Sequence, residues 1–348
     1  PRSDRGEERR YPFTLVLGGS MIMQAAHLGV PMQVGCAKPR QSSRSPAGKC
    51  DSGEKIEKHP IFLGTAPDFW VQPRTEMMDS REILRVNRRI YDSMAASGDP
   101  LCRPATDDEL TNPLATVDAC GWLGGSIAGK TLLCLAAGGG RQSSLYAAAG
   151  ASVTVVDLSG AMLELDRRVA AERGLKLRLL ETSMEDLSML RDGEFDIVIH
   201  PVSTCYVPRA EVVFEEVSRV TRPGGLYISQ HKQPTSLQAT IDPNTTGHYE
   251  VRETYYREVP LPPCRSSSSS ARRLREPGAV EFLHRWEQLI GGICRAGFVI
   301  EDLSEPMHAK QDAPRGSFAH RAQHIAPYVR IKARRRGNQE SVSSLWLP

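Results

Sequence analysis

The stretch from Thr131 to Gly140 constrains the fold more than any other part of the chain. Thr131–Ala137 is a continuous apolar run that breaks into Gly138-Gly139-Gly140. An unbroken apolar run, without alternation, marks a strand buried on both faces, and such a strand needs helices above and below it. The following residues supply them. A helix is predicted through Leu145–Ala149, then a strand over Ser152–Val156 that ends at Asp157. Ser159 is a good N-cap for a helix carrying Met162, Leu163, Leu165 and Val169. Further strands are expected at Leu175–Leu180, Phe195–Ile199 and Leu226–Ser229, with a helix at Glu211–Val220 and a Pro223-Gly224-Gly225 turn between the last two. This alternation predicts βαβ units on a parallel sheet. A helix at Val280–Ala296 and strands at Phe298–Leu303 and Tyr328–Ala333 complete an α/β pattern of seven strands.

Upstream, Ile83, Leu84, Val86, Ile90 and Met94 recur at helical spacing from Ser80 through Ser97. Leu110–Val117 and Trp122–Ile127 read as short helical pieces. Residues 231–280 break the rhythm with six prolines and the run Ser266–Ser270, and read as an insertion after the fifth strand. Within it His248–Val259 alternates as a hairpin strand would. The expected organisation is a poorly ordered extension at 1–75, a helical cap at 76–129, a catalytic domain at 130–335 and a tail at 336–348. The chain begins at Pro1, and Met77 or Met78 would serve as a natural start for the ordered part.

Net charge is +3 over 348 residues, and the basic residues are scattered apart from Arg334-Arg335-Arg336. Nothing there demands nucleic acid. No stretch is long and apolar enough to span a bilayer; Phe13–Val30 is moderately apolar, but Gln24, His27 and its glycines argue against a signal peptide. The eight cysteines show no CxxC spacing and no metal-ligand spacing to a histidine. They read as reduced, cytosolic thiols, so a cytoplasmic protein without a metal is expected.

Glycines after a strand let a ligand approach the backbone, and the next helix offers free N–H groups. Asp157, at the end of the next strand, can accept both hydroxyls of a ribose. In register within one βαβ unit, the two features indicate a nucleoside-bearing cofactor. The spacing of a nicotinamide site is incomplete, because its third glycine is Ser143.

The run Thr131–Ser229 resembles the class I S-adenosylmethionine-dependent methyltransferases, in particular the type 11 group. Leu133–Gly140 sits at the glycine-rich first motif, Val155–Ser159 at the second, Thr182–Leu187 after the third strand, Phe195–Val198 at the fourth and Arg222–Gly225 before the fifth. The resemblance implies a Rossmann-like, mostly parallel seven-stranded sheet with helices on both faces and a closing antiparallel β-hairpin. It implies S-adenosyl-L-methionine as cofactor, held by Ala136, Gly138, Gly139, Gly140, Asp157 and Leu158, with Ser183, Met184 and Glu185 facing adenine. Cys134, Ala136 and Ser183 depart from the family's usual acid, glycine and acid.

His200 and His231 end adjacent strands, where open α/β sheets bind ligands, and Tyr206 follows the fourth strand. These three are the candidates for handling the acceptor, with His284 and the tyrosines of the insertion, which such methyltransferases use as an acceptor lid, behind them. The expected activity is methyl transfer to a small molecule, with no membrane partner. The alternatives are an NAD-dependent oxidoreductase, a non-catalytic methyltransferase-like module suggested by Cys134 and Ala136, and methylation of RNA or protein.

Overall fold

The apolar run at Thr131 becomes a strand pinned on both sides. The computed structural model describes residues 79–264, 266 and 268–337. In chain order its elements are α1 (Ser80–Ser97), α2 (Asp107–Thr111), α3 (Pro113–Val117), β1 (Thr131–Leu135), α4 (Gln142–Ala148), β2 (Ser152–Asp157), α5 (Gly160–Arg173), β3 (Leu177–Glu181), β4 (Phe195–His200), α6 (Ala210–Val220), β5 (Thr221–Lys232), α7 (Pro234–Gln238), α8 (Ser269–Leu274), α9 (Gly292–Arg295), β6 (Phe298–Ser304), α10 (Phe318–Arg321) and β7 (Tyr328–Arg335). The sheet order is β3-β2-β1-β4-β5-β7-β6. The first five strands are parallel, and β7 lies antiparallel between β5 and β6. This is the Rossmann-like arrangement with a closing hairpin that the motifs imply.

Side chains alternate across a strand, and β1 shows why its run is unbroken. Leu132 and Cys134 join the core under α4 and α5, with Val153, Val155, Ile197 and Leu163. Leu133 and Leu135 join the opposite core under α6 and α9, with Val198, Phe214, Tyr227 and Ile293. Each large apolar side chain so buried stabilises the fold by roughly 1.5–3 kcal/mol.

The caps follow the sequence. Asp79 accepts from the Arg81 N–H at the start of α1, and left-handed Gly98 closes it. Ser159 accepts from the Met162 N–H and caps α5. Asn87, 2% exposed, clamps the inner face of α1: its Nδ2 donates to the Tyr206 and Val280 carbonyls, and its Oδ1 accepts from the Val280 N–H.

Three expectations are corrected. Trp122–Ile127 forms turns instead of a helix, with Gly124 and Gly125 at φ +75° and +83°. His248–Val259 forms no hairpin strand; a single antiparallel bridge joins Ala239 to Val251. Residues 280–285 are not helical, and a π-helical turn at Glu287–Gly291 leads into α9. There the backbone is taken by tertiary partners: Phe282 N–H donates to the Cys205 carbonyl, and the Glu281 carbonyl accepts from Leu261. Among the described residues no helix is long and apolar enough to cross a membrane, and all six cysteines are free thiols. The expectations for residues 1–75, for Met77 and Met78, and for the tail beyond Gly337 lie outside the described residues.

Candidate active site

Two carboxylates hold the glycine bend after β1. Asp157 Oδ2 accepts from Gly138 N–H at 2.8 Å, and its Oδ1 accepts from Ser159 N–H at 2.9 Å. Asp166, fully buried on α5, accepts from the N–H groups of Gly139 and Gly140 at 2.9 and 3.1 Å and from the Ser143 hydroxyl. The bend's own N–H groups are thus satisfied within the protein. Its fit is close. A Cβ at Gly138 would stand 2.7 Å from Met162 Cβ and 2.9 Å from Asp157 Oδ2. Ala136 opens the bend at φ +49°, a strained angle for an L side chain. Burial pushes the Asp166 carboxyl up to about 7, against the pull of its donors. Burial also raises Asp157, and Asp92 on α1 adds like-charge repulsion. Each Asp157 oxygen uses one acceptor position here and keeps another.

The bend opens into a cleft of about 680 Å³. It runs along the carboxyl ends of β1, β2 and β4, beneath the Leu84, Ile90 and Met94 face of α1, to Glu276, His308, Tyr328 and Arg330. Of the predicted cofactor residues, Ala136, Gly138, Gly139, Asp157, Leu158, Ser183 and Met184 line it; Gly140 and Glu185 do not. Gly140 serves Asp166 instead, and Glu185 donates its N–H to the Ser183 hydroxyl at 3.2 Å.

Tyr206 lines the cleft, but the two strand-end histidines do not. His200 is 1% exposed, with Nδ1 2.8 Å from the Tyr227 hydroxyl and Nε2 2.6 Å from Ser203 Oγ. It lines a separate pocket of about 50 Å³. His231, also 1% exposed, has Nδ1 2.9 Å from Thr204 Oγ1 and Nε2 2.8 Å from Ser229 Oγ. Burial drives His200 down to about 3, and it lowers His231 with help from His200 and His284. Both rings are neutral, and both nitrogens of each are engaged. They brace β4, β5 and the turn at Thr204–Tyr206. His284 also serves that turn, its Nε2 2.9 Å from the Thr204 carbonyl.

Sequence reasoning missed five residues at or behind this cleft. Asp166 could have been flagged as a carboxylate on the same helix face as Leu163 and Val169; Arg141, Gln142, Glu276 and His308 carry no motif. Glu276 receives the Lys232 ammonium at 2.8 Å, and Lys232 also reaches Glu281 at 2.5 Å. Burial pushes the Glu276 carboxyl up, but Lys232 outweighs it and holds the group below the usual carboxylate range. Six buried side-chain polar atoms among the described residues lack a hydrogen-bond partner. Arg275 Nε and Glu281 Oε2 face each other as an ion pair. The other four, Arg141 Nη1, Gln142 Oε1, Tyr206 OH and His308 Nε2, all belong to cleft-lining residues.

Comparison with known proteins agrees with this geometry. A family model described as "Methyltransferase domain" matches residues 133–229. The uncharacterized methyltransferase YbaJ of Bacillus subtilis (strain 168) is 35% identical over 182 residues, which are 51% of this chain and 69% of that protein. A ubiquinone biosynthesis O-methyltransferase of Bordetella pertussis is 32% identical over 126 residues, 35% of this chain and 52% of its own length. The chain thus spans about half of that second relative. An S-adenosylmethionine-dependent methyltransferase structure from Mesorhizobium loti shares the fold at a TM-score of 0.50 and 21% identity, covering 63% of this chain and 97% of its own. The chain belongs to the class I S-adenosylmethionine-dependent methyltransferases. The nicotinamide alternative falls with that membership.

The residues present fit the cofactor. The free acceptor positions of Asp157 suit ribose hydroxyls. Past the bend, Arg141 commits Nε and Nη2 to Glu109 and leaves Nη1 unpaired. Gln142 likewise leaves Oε1 unpaired.

Proposed function

We propose that this methyltransferase acts on a small molecule that enters the far half of the cleft, beside Tyr206 and Glu276. The carrying observation is the size and lining of the cleft: about 680 Å³ between the strand ends, α1 and the 272–277 segment. That volume lies within the roughly 300–1,000 Å³ of small-molecule sites. A cleft of this kind suits a cofactor and a small acceptor better than a polynucleotide or a protein surface.

S-Adenosylmethionine, when bound, supplies a methyl group already activated by positive sulfur. The chain's work is therefore alignment and exclusion of water. In this reading Asp157 holds the ribose, Ser183 and Met184 border the adenine, and Arg141 and Gln142 take the amino-acid end. Gly138 lets the ligand lie against the backbone. Helix α1, clamped by Asn87, keeps water out. Tyr206 flanks the acceptor, while His200 and His231 stiffen the strand ends without touching it. One relative is named an O-methyltransferase, which supports an oxygen acceptor here.

The test is S-adenosylhomocysteine formation by the purified chain with S-adenosylmethionine and a cell extract split by size. Product with the low-molecular-weight fraction is expected. Product only with the macromolecular fraction would overturn the small-molecule reading; none with either would favour a non-catalytic module.

A further inference from the structure

We infer that Asp166 supplies from α5 the carboxylate that this class of methyltransferase usually carries on β1 at the place of Cys134, and so acts as a positioning residue for the cofactor bend. The departure at Cys134 is then one half of an exchange between two positions. The inference rests on the reading that the bend carries the cofactor.

Cys134 is fully buried on β1 and joins the core under α4 and α5, with Val155, Leu163 and Tyr146. Asp166 stands on the buried face of α5, in line with Met162, Leu163, Val169 and Ala170. A carboxylate among apolar side chains is costly unless hydrogen bonds offset its lost hydration. It takes those bonds from the Gly139 and Gly140 N–H groups and from the Ser143 hydroxyl in the first turn of α4. Gly139 and Gly140 stand at φ +116° and +81°. Glycine by itself has little preference for such angles, so the two bonds to Asp166 fix the second half of the bend, as Asp157 fixes the first at Gly138.

The place holds one such carboxylate and resists another. Burial, and then the Asp166 charge, push the Cys134 thiol up, so the two side chains sense each other. Burial raises Asp166 to about 7, and the Asp157 charge adds to that. An acid at 134 would join Asp157 and Asp166 around one bend, and like charges in a buried site oppose each other's ionisation. An acid on β1 and an acid on α5 are therefore alternatives. Cys134 with Asp166 is a complete arrangement, and Cys134 gives no ground for reading a lost cofactor site.

The test is a swap, read by calorimetric affinity of the full chain for S-adenosylhomocysteine at about pH 8, where Asp166 is mostly ionised. Asp166→Ala should weaken binding roughly tenfold, the scale of a hydrogen bond to a charged group. Cys134→Asp alone should weaken it as well, through like-charge repulsion. Added to Asp166→Ala, Cys134→Asp should instead recover most of the lost affinity, so one substitution changes sign with the residue at 166. Loss of packing gives no such reversal. Should Asp166→Ala fail to fold, Asp166→Asn replaces it in both arms. A double variant that recovers neither folding nor affinity overturns the inference. So does unchanged affinity in the single Asp166 variant while Asp157→Ala weakens binding. Unchanged affinity in both single variants overturns the reading of the bend as the cofactor site instead.

Discussion

The two ends of the cleft are built by different means. The cofactor end is backbone: a glycine bend, the ends of β1 and β2, and two carboxylates, Asp157 and Asp166, that tie the bend's N–H groups from 19 to 27 residues away. The far end, where the acceptor is proposed to bind, is side chains drawn from α1, the insertion, the 308 segment and β7, and it is held by buried charge. Lys232, Glu276, Glu281 and Arg275 form that ionic support. A backbone site needs specific conformations at a few contiguous positions. A side-chain site needs only that distant segments meet, so its residues are free of any local pattern.

The largest effect is expected from the ionic support. Lys232→Met leaves Glu276 without its cation and Glu281 with Arg275 alone, and should lower unfolding free energy by about 3–5 kcal/mol in denaturant titrations. If the two ends are independent, the folded variant's affinity for S-adenosylhomocysteine should change less than about threefold. An equal loss at both ends would break the comparison.

Asp157→Ala should do the reverse. S-Adenosylhomocysteine affinity, read by calorimetry, should weaken by about 1.5–3 kcal/mol. An unchanged dissociation constant would show that the ribose is held elsewhere.

Asp166→Asn should cost about 1–3 kcal/mol, because an amide nitrogen then faces the bend's N–H groups. It should also change the pH dependence. The folded Asp166 carboxyl sits near 7 against an ordinary 3.8, so the folded state binds the proton more tightly. Its stabilising contribution is complete below about pH 4 and is lost as pH rises through about 7. Thermal unfolding of wild type across that window should show this decline, and the variant should be flatter.

The smallest effect belongs to the outer face of α1. Glu82→Gln removes pairs with Arg85 and Arg89 at exposed positions, and should change stability by less than about 0.5 kcal/mol with no effect on binding. A larger change would mean that the roof depends on more than its inner face.

The fold was legible because it rests on local and periodic signals. The run at Thr131, Ser159 as a cap and the Pro223-Gly224-Gly225 turn each act on near neighbours, and β1 to β7 follow within a few residues. The bend at Gly138 and its contact with Asp157 follow from local signals too, because both lie in one βαβ unit. Reading failed where partners are remote. His200 and His231 were picked by their place at strand ends, but only packing shows that their ring nitrogens are spent on Tyr227, Ser203, Thr204 and Ser229. The segment at 280–285 has helical composition, yet Cys205, Leu261 and Asn87 claim its backbone.

Composition and periodicity by themselves determined a parallel α/β sheet, since backbone geometry and apolar spacing are written along the chain. Tertiary structure alone decided which histidine stands at the cleft, which carboxylates hold the bend and what roofs the acceptor end. Those depend on contacts between segments up to roughly two hundred residues apart, such as Asn87 with Val280, and no local rule encodes a distance of that kind.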